Sequence, residues 1–319
     1  EYLAGHALNS LGVASSNAVG FTSSAQGVQR EKLELGAMML RTSDCHIRLG
    51  HFEWINQYQP DLLDDFTQKC IAWHYPECLE AEQPVLAFAT QVIQRTAVMI
   101  AKWQLFGFAH GVMNTDNLNI TGSTLDFGPY GFMERFHPNW INNHSDYQGR
   151  YTYQQQPSIG HWNLWTWLNN LIPLCPQDYD KEQWKQDLAD CLETFLRILQ
   201  TEQLDYTQSF TRLQNQQYEM IKDDCLDRRQ FEIFLAQYEQ IRANQDRIEL
   251  NAAMQQANPV YILRNHMAQK AIELAERNDF SEVERLFDLL SQPFERNVAL
   301  EKAEDLAPLP TDVPTRSDV

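Results

Sequence analysis

No pair of the six cysteines (Cys45, Cys70, Cys78, Cys175, Cys191, Cys225) has C-x-x-C spacing, and six thiols in 319 residues are too sparse for a disulfide framework. A reducing compartment with free thiols is expected. Cys70, His74 and Cys78 are four residues apart, which would suit a partial metal site on one helix face. Pro76 interrupts that helix, and a structural zinc needs four placed ligands, so buried thiols near a helix end are the preferred reading. Positive charge is scarce: 25 Lys and Arg stand against 43 Asp and Glu, a formal net charge of -18. Such a surface repels phosphate backbones and anionic bilayers, so neither nucleic acid nor membrane is expected as a partner. No uninterrupted apolar run has membrane-spanning length and no basic-then-apolar leader opens the sequence, so a cytoplasmic location is expected. There is no internal repeat, and the glutamine clusters at 154–156 and 214–217 are too short for low-complexity tracts. An initiator Met is also lacking. Glu1-Tyr2-Leu3-Ala4 reads as the inside of a helix without a cap, so further residues upstream are expected.

What is present suffices for a packed core: 43% hydrophobic and 11% aromatic residues. Single cores stop growing at roughly 250–300 residues, so one large domain or two lobes is expected. Residues 1–11 read as a helix with Leu3, Ala7, Leu8 and Leu11 on one face and Gly12 as its C-cap. Extended stretches follow around Ala18–Thr22 and Ala37–Arg41. From Phe52 the pattern turns helical, over 61–74 and 84–106, the second apolar on several sides and so a central buried helix. Residues 135–160 read as a long polar and aromatic loop, a length that is usually functional. After Trp162 the pattern is helical to about Leu290, with Ser281 and Glu284 spaced as a capping box for the last helix. The Pro- and Asp-rich tail from Pro308 is expected to fray.

Chemistry concentrates in residues 110–131, HGVMNTDNLNITGSTLDFGPYG, which read as a tight hairpin with polar residues at both ends. Phosphoryl and nucleotidyl transfer need a divalent metal on hard oxygen ligands and a base beside the attacking hydroxyl. Protein kinases supply these with H-R-D-x-x-x-x-N and then D-F-G. Here His110 precedes Asn117 by seven residues, and Asp126-Phe127-Gly128 follows. The kinase base position, two after the histidine, is Val112, which takes no proton; the nearest carboxylate is Asp116. The residues alone therefore leave a dead kinase, an enzyme with a relocated base, or a polar hairpin whose Asp and Asn only cap turns. His110 itself reads as a buried structural histidine.

The strings His110-Gly-Val-Met-Asn-Thr-Asp-Asn117 and Asp126-Phe-Gly-Pro129 resemble the selenoprotein O (YdiU) family. So do Asn143-His-Ser-Asp146 with Gly149-Arg150-Tyr151, Gln156-Pro157, Ile159-Gly160-x-Trp162-Asn163-Leu164, His46-Ile-Arg48-x-Gly50-His-Phe-Glu53, His74-Tyr-Pro76 and Asn258-Pro-x-Tyr261-x-Leu-Arg-Asn265. They occur in the family's order from residue 1 to about 295.

The resemblance implies an α+β, mostly helical chain with a protein-kinase-like two-lobe fold. Residues 1–51 would be the remainder of an N-lobe beginning at the C helix, 52–200 the C-lobe, and 201–319 a helical C-terminal extension. It implies a protein adenylyltransferase that moves AMP from ATP to Ser, Thr or Tyr hydroxyls, releasing pyrophosphate, with Mg2+ or alternatively Mn2+. Carried over by motif, Asp116 is the general base, Asn117 and Asp126 hold the metal, and Asp126 also lies near the nucleotide. Arg41 and Arg48 grip the nucleotide, and Glu1 matches the C-helix glutamate. Without the resemblance, both arginines read as surface charge. Partners would be ATP and protein substrates, in the cytoplasm of a bacterium or the mitochondrion of a eukaryote. Two departures stand out. The Lys that pairs with the C-helix Glu, and the Gly-rich loop, lie upstream in the family. Many bacterial relatives also carry a Cys where Asn142 stands and another near the C-terminus, so a disulfide between those places is not expected here. Transfer of UMP from UTP with Mn2+, ordinary γ-phosphate transfer, and a non-catalytic pseudokinase binding module are the alternatives.

Overall fold

In the computed structural model the described residues are 1–29, 33–133, 137–201 and 254–306, with single positions at 232, 235, 236 and 252. The tail from Pro308, the 214–217 glutamine cluster and Cys225 lie outside them. Helices dominate and strands are few, a mixed α and β chain.

The first helix, α1 (Tyr2–Ser10), buries Ala4, Gly5, Ala7 and Leu8, and Gly12 closes it at φ 74, as its C-cap role predicts. The two extended stretches are one antiparallel hairpin, β1 (Asn17–Gln29) and β2 (Leu33–Thr42), longer than the sequence suggests. Its register slips between Ala18 and Gly20 and between Ser23 and Gly27; the first slip lies where Ala18 pairs with Arg41.

Four helices follow in the middle of the chain: α2 (Leu49–Tyr58), α3 (Leu63–His74), α4 (Pro84–Leu105) and α5 (Gln156–Asn169). Helix α4 is long and apolar enough to cross a membrane by length and composition, but it packs against α3, α5 and the next helix, α6 (Lys181–Thr201). Its Phe88 meets Phe52 of α2 and Trp167 of α5; Trp167 stands edge-on to both rings at 5.6 Å. Fully burying such a side chain is worth about 1.5–3 kcal/mol, and each aromatic pair adds roughly 0.5–1.5. This aromatic knot fixes α2, whose N-terminus abuts the candidate site.

Three expectations need correction. The 135–160 stretch is not loop throughout: after Thr152 a 3-10 turn (Tyr153–Gln155) leads into α5 at Gln156, where Pro157 supplies a preset φ in the first turn. Ser281 is not a cap. It is the first residue of its helix, and the Asp279 carboxylate accepts its N–H at 3.0 Å. Nor is that the last helix. After α7 (Asn265–Ala275) and α8 (Ser281–Leu290) comes α9 (Ala303–Leu306). The Cys70–His74–Cys78 row is, as preferred, a helix end with buried thiols. Helix α3 ends at His74, Cys78 sits in the Pro76–Glu80 3-10 turn, and the His74 imidazole lies 3.3 Å from the Cys45 sulfur. Burial pushes the Cys70 thiol up to about 12, the behaviour of a core thiol.

Candidate active site

The site forms where two short loops, one β-strand end and one helix start converge. The chain leaves α4 through the two-residue strand β3 (Phe108–Ala109), which pairs with β4 (Gly131–Phe132), so the loops 110–117 and 125–130 emerge side by side. Between them the expected hairpin is minimal: one Leu118–Thr124 bridge, with Gly122 turning at φ 73. The Ser15–Thr124 bridge attaches it to the segment after α1, and the Arg48–Asn119 bridge attaches it to the start of α2.

Asp126 adopts φ 55, a left-handed conformation that Asp tolerates better than most residues. That backbone turns its carboxylate toward two arginines 85 and 78 residues away in sequence. Arg41 Nη2 reaches Oδ1 at 2.5 Å and Arg48 Nη1 reaches Oδ2 at 2.6 Å. Arg48 Nη1 also donates to the Asp116 carbonyl at 2.8 Å, so one guanidinium ties the 110–117 loop to the 125–130 loop. Arg41 lies 3.6 Å from the Glu1 carboxylate. Arg41, Arg48, Asp126 and Glu1 are thus brought together, each about a quarter exposed. Among the described residues, Arg48 Nε and Nη2 donate to nothing. The Asp116 side chain is exposed and rests over Gly50: a Cβ on Gly50 would come within 2.1 Å of Asp116 Oδ1.

Asn117 donates Nδ2–H to the Val112 carbonyl at 2.9 Å, which orients its amide; among the described residues its oxygen accepts nothing. The Asn117 amide oxygen and the Asp126 carboxylate are hard donors of the kind that suits Mg2+ or Mn2+. Two protein ligands are few for zinc but normal for Mg2+, which keeps waters and substrate phosphates in its shell.

His110 is the structural residue that its position suggests. It is fully buried and donates Nε2–H to the Leu125 carbonyl at 2.9 Å; burial lowers its pKa to about 4, so it is neutral at pH 7. Its backbone N–H is held by Gln156, whose amide also donates to the Phe108 carbonyl, both at 2.9 Å. Sequence reasoning did not assign roles to a set of such braces. Asn163 donates to the Met113 carbonyl, Asn142 to those of Ala109 and Pro129, and Asn143 to that of Gly111. Tyr151 donates to the Asn114 amide oxygen at 2.5 Å, and Asp146 accepts the N–H groups of Arg150 and Tyr151. Their signal was available: polar residues dense around Asn143-His-Ser-Asp146 and on the apolar side of α5, where a buried amide must find partners.

A family model described as protein adenylyltransferase SelO matches residues 1–185 and 177–291. Three relatives named protein nucleotidyltransferase YdiU align over 97% of this chain. That of Marinomonas sp. (strain MWYL1) is 38% identical with 71% of its own length covered. That of Vibrio cholerae serotype O1 is 38% identical with 70% covered, and that of Pseudomonas fluorescens (strain Pf0-1) is 39% identical with 70% covered.

Proposed function

Since the chain belongs to the SelO family of protein adenylyltransferases, we propose that the cluster around Asp126 is its nucleotide and metal site, and that it transfers AMP from ATP to Ser, Thr or Tyr hydroxyls of proteins. The observation that carries this reading is the bridge made by Arg48. Its guanidinium holds the Asp126 carboxylate and the Asp116 carbonyl together while keeping further N–H groups unused among the described residues. A group with strong donors left over, next to oxygen ligands for a divalent cation, is suited to a polyphosphate.

In this reading Arg41 and Arg48 contact phosphate oxygens, and Glu1 keeps Arg41 aimed into the cleft. Asn117 and Asp126 would hold Mg2+, which when bound neutralises phosphate charge and orients the polyphosphate. Asp116 stands where Val112 cannot act. Its exposed carboxylate accepts the proton of the incoming hydroxyl as that oxygen attacks the α-phosphorus. The bond from the α-phosphorus to the bridging oxygen breaks, and pyrophosphate leaves. Charge that develops on the phosphoryl oxygens faces the two arginines. The scaffold we propose is kinase-like, with residues 1–51 as the N-lobe part, 52–200 as the C-lobe and 201–319 as a helical extension.

The test is transfer of label from ATP labelled at the α-phosphate to protein, compared with γ-labelled ATP. Label from the α-position, lost in Asp116→Asn while nucleotide binding persists, supports the reading. Label from the γ-position only would make the protein a phosphotransferase and remove the proposed chemistry.

A further inference from the structure

A cavity of about 340 Å³ lies between α4 and the turn of the 118–124 hairpin, and none of the cleft residues Arg41, Arg48, Asp116, Asn117 or Asp126 lines it. Three elements wall it: α4, the turn at Thr121–Gly122, and the segment Gly12–Ala14 that follows α1. Two cations face it from one stripe of α4, Arg95 and Lys102, seven residues and therefore about 10 Å apart along the axis. No carboxylate lines it, and among the described residues neither cation has an ion-pair partner. That is unusual in a chain of net charge -18.

Both cations are held with donors to spare. The Arg95 guanidinium lies 4.4 Å over the Tyr75 ring; stacking uses its face and leaves the N–H edge available for a carboxylate or phosphate. Lys102 donates to the Gly12 carbonyl at 2.5 Å, which positions its ammonium and leaves two further N–H groups. The Gln91 and Gln94 amides add neutral polar groups beside the apolar surface of Val98 and Met99. The size falls at the lower end for small-molecule pockets.

We infer that this cavity is a second ligand site, built for a small organic or inorganic anion that carries two or more carboxylate or phosphate groups. It is also mechanically close to the cleft. The Ala14 carbonyl in its wall accepts both the N–H and the hydroxyl of Thr124 at 2.8 Å, two residues before Asp126. The Gly122 turn lies so close to α4 that a Cβ there would be 2.8 Å from the Arg95 backbone. A ligand that draws Arg95 and Lys102 together therefore presses on the hairpin that joins the two catalytic loops.

The site does not depend on the proposed transfer reaction and is tested without it. Citrate and pyrophosphate, representing the two anion chemistries, are titrated calorimetrically without divalent metal. The proteins are the unmodified chain, Arg41→Gln/Arg48→Gln and Arg95→Gln/Lys102→Gln, with circular dichroism confirming that each is folded. At least one probe binds saturably, keeps its affinity within about twofold in Arg41→Gln/Arg48→Gln, and loses about a hundredfold in Arg95→Gln/Lys102→Gln, or about 2.7 kcal/mol. Amide exchange at Gly122 and Thr124 slows when the probe is bound, which locates it without any variant. Absence of saturable binding by both probes overturns the inference. So does binding lost with Arg41 and Arg48 but retained without Arg95 and Lys102, because the anion then sits in the cleft.

Discussion

Arg285 and Arg48 are both bound to carboxylates, yet they are built for opposite ends. In the C-terminal cluster, Arg285 uses all five of its N–H donors. Nε and Nη2 grip Glu282, Nη1 and Nη2 grip Asp305, and Nη1 also reaches the Leu300 carbonyl. Lys302 adds its ammonium to Glu282 at 2.5 Å and its backbone N–H to Asp305 at 2.7 Å. The two carboxylates are almost wholly buried, with side chains 4% and 0% exposed, and the four charges sum to zero. Arg285 has no N–H left for a ligand. In the cleft, Arg41, Arg48, Asp126 and Glu1 also balance, but each is 26% exposed and Arg48 holds donors in reserve. Closure of the donor set marks a group that fixes α8 to α9; an incomplete donor set marks a group that awaits a ligand.

The largest expected effect tests the functional half of this contrast. Asp126→Ala removes the anchor of both arginines and one proposed metal ligand, and is expected to lower the transfer rate about 10³-fold. Because the cluster is solvated, the thermal midpoint should fall only by what the strain of alanine at φ 55 costs, about 1–2 kcal/mol, less than in a C-terminal variant. A midpoint that falls as far as in a C-terminal variant would erase the distinction.

Next in size is Arg285→Ala. It leaves two buried carboxylates without their main partner and is expected to cost about 3 kcal/mol of stability, read by denaturant unfolding. The rate per folded molecule should stay unchanged. A large loss of rate in the folded fraction would mean that the C-terminal cluster serves catalysis, with α1 as one physical link: Tyr2 and His6 stack on Phe287 of α8.

How much of this was readable beforehand follows the range of each interaction. The His110, Asn117 and Asp126 spacing lies within one short segment, so the sequence displays it directly, and the periodicity of α4 is legible for the same reason. Arg41 is different. It is one arginine at the end of a strand, and only its Asp126 partner, 85 residues on, makes it a site residue; the resemblance nominated it, the pattern did not. The C-terminal cluster went unseen because Glu282 and Arg285 look like an ordinary surface pair, three residues apart on a helix, until Lys302 and Asp305 close over them. The Ser281 capping box failed for a related reason: two adequate local signals, Asp279 and Ser281, compete for one helix start, and the chain uses the aspartate.

Acid separates the two regions by pH window. Hydrogen bonding to Arg285 and Lys302 holds the Glu282 carboxyl down at about 2, against an ordinary 4.5. A depressed carboxylate stabilises the fold fully above pH 4.5, and that contribution is lost as pH falls toward 2. His110, lowered by burial from 6.5 to about 4, is neutral when folded and takes up a proton when unfolded. Its environment therefore costs stability as pH falls from 6.5 toward 4. Unfolding free energy measured against pH should lose part of its dependence in the upper window in His110→Gln, with His6 and His51, also lowered by burial, supplying the rest, and lose part of it in the lower window in Glu282→Gln. The opposite assignment would mean that the two clusters have been ranked wrongly by burial.

The smallest expected effect is also the most local. Gly50 lies in the first turn of α2 with no need for a positive φ, so alanine is acceptable to the backbone and its higher helix propensity favours folding by up to about 1 kcal/mol. The new Cβ, however, would lie 2.1 Å from Asp116 Oδ1 and 3.1 Å from its Cγ. Something must move, and the exposed carboxylate is the part free to do so. Gly50→Ala should therefore keep or slightly raise the unfolding midpoint while cutting transfer about tenfold, because the proposed base, Asp116, is turned away from the incoming hydroxyl. In the C-terminal cluster a displacement of the same size would have no solvent to move into and would appear as instability. An unchanged rate in Gly50→Ala would show that the placement of the Asp116 carboxylate does not matter to the reaction, and the base assignment would pass to another group.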